Sequence, residues 1–401
     1  MKKREFIKKG LLSTAGLLLT NKSAIAKIIP ERFPELADHK VTNAELETVT
    51  FHWPRFVGRN GTKDIHGQYN ERTVLKIYTD QGAMGWGISD KRASAELTSI
   101  LGRKVSDLIN PEFGLSQGLN TFYFDLPLYD LAGVILNKPV YQLLGGSGPK
   151  EVSVYSGMIY MDELASEGLV GSIDRVLENC AWDYNYGYRQ LKIKIGRGKR
   201  WYSPEEGMKM DIRIVKMIFE AYQEKGVQLM VDANNAYSLN DTKTFLEGID
   251  GIPLFWVEEP FPENLEEGYE LRKWMDSNGY KDTRYADGEW IMPDVDNDIA
   301  LEMVEKGILN TYVNDIHAYG ITNWIKAMPM LRQAKATGSP HTWGDRLKTH
   351  YTVHLAAGLG NIPTVEGVTC LSEDIDYGEY PVNNGNILVS SKPGFGMTLL
   401  K

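Results

Sequence analysis

The chain has 401 residues, 42% hydrophobic and 24% charged, with a formal net charge of −9. That length and composition fit one or two globular domains around a large core and exclude a collagen-like, disordered or disulfide-scaffold protein. The acidic balance argues against nucleic acid and anionic membrane surfaces as partners. Two distant cysteines, Cys180 and Cys370, give no metal-ligand spacing and establish no disulfide.

The first residues read as an address. MKKREFIKKG is strongly basic, LLSTAGLLL is a short apolar run, and Ala24-Ile25-Ala26 fits a small-residue cleavage site. The apolar run is too short to span a bilayer, and no later segment is long enough either. Residues 1–26 are therefore expected to be a secretory signal of Sec or Tat-like type. The expected product is an exported, periplasmic protein with no stable membrane insertion after processing. Those residues carry six Lys/Arg and one Glu, a net +5, so their removal takes −9 to −14.

Residues 27–148 are expected to form an α+β unit. AELETVTF, RTVLKIYTD and AMGWGIS read as strands, with a turn at Gln81-Gly82. Residues 91–109 read as a helix stopped by Asn110-Pro111. From 149 to 368 short β-rich runs alternate with amphipathic helical stretches. The runs are VSVYSGMIY (152–160), LKIKIG (191–196), QLMVDANNAY (228–237), LFWVEEPF (254–261), TRYADGEW (283–290), TYVNDIHAYG (311–320), SPHTWG (339–344) and IPTVEG (362–367). Eight strands joined by helical crossovers indicate a closed parallel barrel. Residues 369–401 have no helical period and are expected to pack back on the first unit.

Polar residues recur near the C-terminal ends of these strands: Lys192 and Lys194, Asp232 and Asn234, Glu258, Glu289, Asp315, His341, then Glu366. In a parallel barrel those ends share one rim, where barrel enzymes place their chemistry. Asp232, Glu258 and Glu289 offer oxygen ligands from three consecutive strands, a donor set suited to Mg²⁺. Lys192 and Lys194 lie on one face of their strand. Two lysines on a solvated face explain that alternation equally well; the acidic rim favours a base. Beside a second ammonium and a cation, the Lys194 amine would lose its proton more easily and serve as a general base. His341, oriented by Asp315, is the second candidate base. Glu366 reads equally as a protonated donor to a substrate oxygen or as an ordinary rim carboxylate. In this reading the metal takes a substrate carboxylate and stabilises the charge left when the α-proton departs.

LKIKIG, VDANNAY, WVEEP, ADGE, the Asp315-to-His341 pair and VEG resemble the enolase superfamily, mandelate racemase/muconate lactonizing enzyme branch. LYDLAGVILNKPVYQLLGG (128–146) and KPGFGMTL (392–399) extend the likeness over nearly the whole mature chain. The resemblance implies a modified (β/α)7β barrel with an α+β cap and a homo-oligomer. It implies Asp232, Glu258 and Glu289 as metal ligands, with Lys194 and the Asp315–His341 dyad as acid/base groups. It places the chain near the acid-sugar dehydratases of the mandelate racemase subgroup. One glycine stands at Gly320, where that family usually has two. The expected activity is elimination of the C3 hydroxyl after loss of the C2 proton, giving a 2-keto-3-deoxy acid. A racemase, epimerase or cycloisomerase would use the same bases, and a non-catalytic sugar-acid binding protein is the more remote alternative. Specificity is expected from FVGRNGTKDIHGQY (56–69), through Arg59 and His66, with Arg55 also considered, and from Asn234 and Tyr160.

Overall fold

The computed structural model describes residues 33–164, 171–289, 298–378 and 380–401. The expected signal segment and Trp290 lie outside these residues.

The cap is built on an antiparallel sheet of β1 (Val41–Val57), β2 (Gly67–Thr79) and β3 (Met84–Ser89), preceded by a single helical turn at Pro34–Asp38. Helix α1 (Thr121–Ile135) covers it, capped by Asn120, whose side chain accepts from Phe122 N. Gly85 and Gly87 let the helix approach: a Cβ on Gly85 would sit 2.3 Å from Leu131 N. Pro127 lies inside this helix and has no N–H for the Tyr123 carbonyl. Ser89 Oγ donates to that carbonyl instead, at 2.9 Å.

The expected helix over 91–109 is absent. The chain there makes three 3₁₀ turns, Lys91–Ala95, Leu97–Ser99 and Val105–Asp107. Val41 N donates to Arg103 O and Gly102 N to Val41 O, both at 2.9 Å. These bonds pin the segment to the start of β1, and Gly102 takes φ +75, so a helix cannot run through it.

The barrel follows in strict alternation. Its units are β4 (Glu151–Ile159), α2 (Ile173–Tyr186), β5 (Gln190–Lys194), α3 (Pro204–Tyr222), β6 (Gln228–Asp232), α4 (Leu239–Gly248), β7 (Leu254–Glu258) and α5 (Leu265–Ser277). Then come β8 (Arg284–Asp287), α6 (Ile299–Glu305), β9 (Thr311–Tyr312), α7 (Ile316–Gln333), β10 (Thr337–Gly338), α8 (Arg346–Leu359) and β11 (Val365–Gly367). Strands β4 to β10 pair in sequence order, and β11 pairs in parallel with β4. Between β10 and β11 the ring is closed by Gly338 N to Asn361 O at 3.0 Å and Ser339 Oγ to Thr364 O at 2.9 Å. This is a (β/α)7β barrel. Its strands are buried almost continuously, as parallel strands covered on both faces must be.

The sixth strand is shorter than the sequence suggests. TYVNDIHAYG is strand only at Thr311–Tyr312, and from Ile316 it is helix. Asp315 ends the extended stretch because its Oδ1 accepts from His317 N and Ala318 N as an N-cap.

The C-terminal segment reaches both units. Leu371 pairs with His52 of β1, Asn386–Leu388 lies antiparallel on β4, and Phe395 N donates to Asp130 of α1. Cys180 and Cys370 are both free and buried. Among the described residues no helix is long and apolar enough to cross a membrane.

Candidate active site

The barrel register sets the rim. Lys194 pairs with Asp232 across β5 and β6, and Asp232 with Glu258 across β6 and β7. Three ionisable side chains thus stand at one level. Lys192 lies one pleat deeper on the same face.

Lys192 is a buried ammonium ringed by acids. Its Nζ is 2.7 Å from Glu258, 3.2 Å from Glu366 and 3.3 Å from Asp232. The Tyr155 ring lies 5.4 Å from it. Burial opposes the charge, but Glu258 and Glu366 outweigh burial and raise the lysine well above its ordinary pKa. Lys194 Nζ sits 2.5 Å from Asp232 Oδ2. Despite full burial, the two ammoniums hold Asp232 down at about 2. Burial pushes Glu258 up to about 7, with Asp232 and Glu366 adding to the rise.

His341 lies beyond the end of β10, 26 residues after Asp315 in the chain. Its Nδ1 is 2.8 Å from Asp315 Oδ2, and its Nε2 is 3.2 Å from Glu289 and 3.9 Å from Glu366. Burial disfavours the imidazolium, yet Glu289, Glu366 and Asp315 raise the pKa of His341 above the usual histidine value. Glu366 accepts from Thr342 N at 2.7 Å. Burial pushes its pKa up, but Lys192 and His341 outweigh burial and hold it below the ordinary glutamate range. The result is one connected row: Lys194, Asp232, Lys192, Glu366, His341.

Lys348 belongs to this row and was not visible in the sequence. Its buried Nζ lies 2.7 Å from Asp315 Oδ2, the same oxygen that faces His341. Burial would raise Asp315, but Lys348 and His341 hold it far below the usual carboxylate range.

The expected substrate contacts divide. Tyr160 lies with its ring 5.5 Å from Lys194 Nζ, and His66 packs edge-on to Tyr160 at 4.8 Å, so both join the rim. Asn234, at φ +46, donates from Nδ2 to Glu259 at 3.2 Å. Arg59 pairs with Asp64 at 2.8 Å and lies over Trp201. Arg55 is engaged elsewhere: its guanidinium grips both oxygens of Asp183 on α2 and tethers cap to barrel. A cavity of about 520 Å³ beside it is lined by Arg55, Asp162, Arg175 and Asn179.

Among the described residues no three His, Cys, Asp or Glu side chains converge closely enough to hold a metal ion. The donor chemistry of Asp232, Glu258 and Glu289 nevertheless fits a hard divalent cation. Glu258 Oε2 is a buried acceptor with no hydrogen-bond partner, the kind of atom that a cation would satisfy.

Residues 175–401 match the family described as enolase C-terminal domain-like. A galacturonate dehydratase from Geobacillus sp., solved with D-galacturonate and 5-keto-4-deoxy-D-galacturonate, is 30% identical with a TM-score of 0.81. The match covers 90% of this chain and 95% of that one. The arabinonate dehydratase of Saccharolobus solfataricus is 25% identical over 281 residues, 69% of this chain and 68% of its own length. The L-Ala-D/L-Glu epimerase of Clostridium acetobutylicum is 26% identical over 353 residues, 81% of this chain and 90% of its own length. The match over more than half of the chain, on a capped (β/α)7β barrel, makes this protein a member of the enolase superfamily, in its mandelate racemase/muconate lactonizing enzyme branch.

Proposed function

We propose that the chain is a Mg²⁺-dependent dehydratase of a sugar acid. The observation that carries this reading is the connected row with a separate base at each end, Lys194 on Asp232 and His341 on Asp315. Two bases flanking one carboxylate-binding site suit removal of an α-proton and delivery of another proton to a β-hydroxyl. Asp232, Glu258 and Glu289 would hold the ion. When bound, it supplies positive charge opposite the substrate carboxylate as the α-proton leaves. Lys194 or His341 takes that proton, according to the configuration at the α-carbon. His341, as imidazolium, protonates the departing hydroxyl, while Asp315 and Lys348 fix its ring. Lys192 donates to the substrate carboxylate.

Similarity to the Geobacillus galacturonate dehydratase and the arabinonate dehydratase supports a sugar acid as substrate, and a Geobacillus galacturonate dehydratase variant solved with Mg supports the ion. Counted from the carboxylate, a uronic acid and an aldonic acid lose the same two groups. The second reading is an epimerase, favoured by the same pair of bases and by similarity to the Clostridium epimerase. The basic and apolar N-terminal segment supports export of the enzyme.

Proton NMR in D₂O with Mg²⁺ and a panel of aldonic and uronic acids tests both readings. Dehydration is expected: the α-proton vanishes and a methylene appears at the β-carbon. Exchange at the α-carbon without elimination would replace dehydratase by epimerase. Lys194→Ala and His341→Ala should each lower turnover by roughly 10²- to 10⁴-fold with the fold retained. Near-normal turnover in both would remove the mechanism, and chelation of Mg²⁺ should abolish activity reversibly.

A further inference from the structure

The rim is tied unevenly around Lys194. On the β6 side the parallel ladder runs on past the strand ends. Ile195 N donates to Asp232 O at 2.9 Å, Ala233 N to Glu258 O at 3.1 Å and Glu259 N to Ala286 O at 3.1 Å. On the β4 side it stops early. The last pair between β4 and β5 is Ile159 with Ile193. Beyond it the chain turns to the cap, where Met161 N donates to Arg59 O at 2.9 Å. Successive residues of a strand aim their main-chain groups to opposite sides. Since Ile195 N meets β6, the Lys194 carbonyl faces the gap beside β4.

Arg197 fills that gap. Gly196, at φ +97, turns the chain out of β5, and the guanidinium reaches back. Its Nη1 donates to Lys194 O at 2.8 Å and to Asp211 Oδ1 of α3 at 2.7 Å. Its Nε and Nη2 grip both oxygens of Glu163, in the segment after β4, at 2.7 and 3.0 Å. Four of the five N–H donors of the guanidinium are used in this way, and the side chain is wholly buried. Asp211 Oδ2 accepts in turn from Gly196 N, Arg197 N and Tyr237 Oη, at 2.9, 3.1 and 2.7 Å. Buried ion clusters add little net stability, because desolvation offsets the attraction. What this one supplies is a fixed geometry at one place on the rim.

Resting on the reading of Lys194 as a base, we infer that Arg197 is its positioning residue. The guanidinium staples the end of β5 to the segment after β4 and so sets where Lys194 Nζ meets the α-proton. Asp232 steadies the tip of the lysine, and Arg197 steadies its root. Tyr160 stands three residues before Glu163, with its ring 5.5 Å from Lys194 Nζ, so the same staple spaces ring and amine. A lysine side chain is flexible and carries any shift of its main chain to Nζ. A misplacement of about 1 Å at a reacting group costs about 10²-fold in rate. His341 does not share this support. Asp315, itself held by Lys348, fixes it at the other end of the row. Loosening the staple therefore slows proton transfer on the Lys194 face and spares the His341 face.

The test is α-proton exchange in D₂O, followed by proton NMR on the full chain with Mg²⁺. The substrates are sugar acids in pairs that differ only at the α-carbon: gluconate with mannonate, galactonate with talonate, and glucuronate with iduronate. Exchange abolished by Lys194→Ala belongs to the lysine face, and exchange abolished by His341→Ala to the histidine face. Arg197→Lys keeps the buried charge but not the planar fork. Glu163→Gln opens the staple on the β4 side alone and carries the test if Arg197→Lys does not fold. Each variant is expected to slow lysine-face exchange by about 10- to 100-fold and histidine-face exchange by less than about threefold, with KM nearly constant. Where the wild type uses the lysine face alone, the same slowing at an unchanged KM and melting midpoint supports the inference. Slowing there with a raised KM and a lowered midpoint overturns it. Equal slowing on both faces makes the cluster a structural support and overturns the inference, with the dehydratase reading left standing. Normal lysine-face exchange in the folded variants has the same meaning. Wild-type exchange on the histidine face alone removes Lys194 as a base and this inference with it. A wild type that exchanges no α-proton of any pair overturns both readings.

Discussion

Asp315 does three things with one carboxylate. Oδ1 caps α7, while Oδ2 faces both His341 Nδ1 and Lys348 Nζ. The lysine fixes the carboxylate's rotation, and the carboxylate in turn fixes the imidazole, so Lys348 acts on the reaction through His341. Lys348→Met should lower kcat by about 10- to 100-fold, the scale of supporting-shell losses at other sites, with KM nearly constant. Lys348→Arg should recover part of the loss. Equal losses in kcat and KM, or no rescue by arginine, would make Lys348 a stabilising residue only. The rim residues Lys192, Lys194, Asp232, Glu258, Asp315 and His341 were legible in the sequence because period-2 strands with ionisable ends repeat in register. Lys348 was not legible, since a lysine on a helix normally reads as solvated. Helix α8 is buried along nearly its whole length, with Lys348 at 1% exposure. Arg197 was equally hidden, because in a glycine-rich turn it reads as solvated, and its partners Glu163 and Asp211 lie 34 and 14 residues away in the chain.

At the scale of elements, the alternation of strand and helix could be read because each strand is a short apolar run between amphipathic helices. The failures fall where tertiary hydrogen bonds override local pattern, as at 91–109, or where a cap ends a strand early, as at Asp315. Helix α7 carries a further break. Gly320 adopts φ +77 and ψ 157 within it, and a Cβ there would lie 2.6 Å from Asp125 Oδ2. The break lets the chain deliver Thr322 to Asp125, which accepts from both Thr322 N and Thr322 Oγ1. The barrel is thereby joined to helix α1 of the cap. Gly320→Ala should cost about 1–3 kcal/mol of stability through the forbidden backbone angle and the clash. Thermal unfolding measures this, and an unchanged midpoint would mean that the local backbone relaxes to another path.

Across the whole molecule, cap and barrel are held by polar clasps as well as by a shared core. Arg72 of β2 reaches Asp345, the N-cap of α8, at 2.9 Å, and Arg55 holds Asp183. Another clasp, at Asp130, ties the cap to the C-terminal segment and depends on pH. Asp130 on α1 accepts from Trp86 N of β3 at 3.0 Å and from Phe395 N of the C-terminal segment at 2.9 Å. Burial pushes its carboxyl up to about 7, and the two N–H donors only partly offset that rise. In the unfolded chain it titrates near 3.9, so the folded state binds the proton more tightly. Its contribution is therefore complete below about pH 4 and is lost as pH rises through about 7, a change of about 4 kcal/mol across that window. Asp130→Asn has no such proton and should be insensitive to pH at this position. The stability of the wild type relative to Asp130→Asn, from denaturant unfolding at pH 5 to 8, should therefore fall with pH up to about 7 and level off above it. A constant difference between the two proteins would mean that the backbone donors keep Asp130 ionised throughout, with the clasp working as a fixed charge and not as a titrating one.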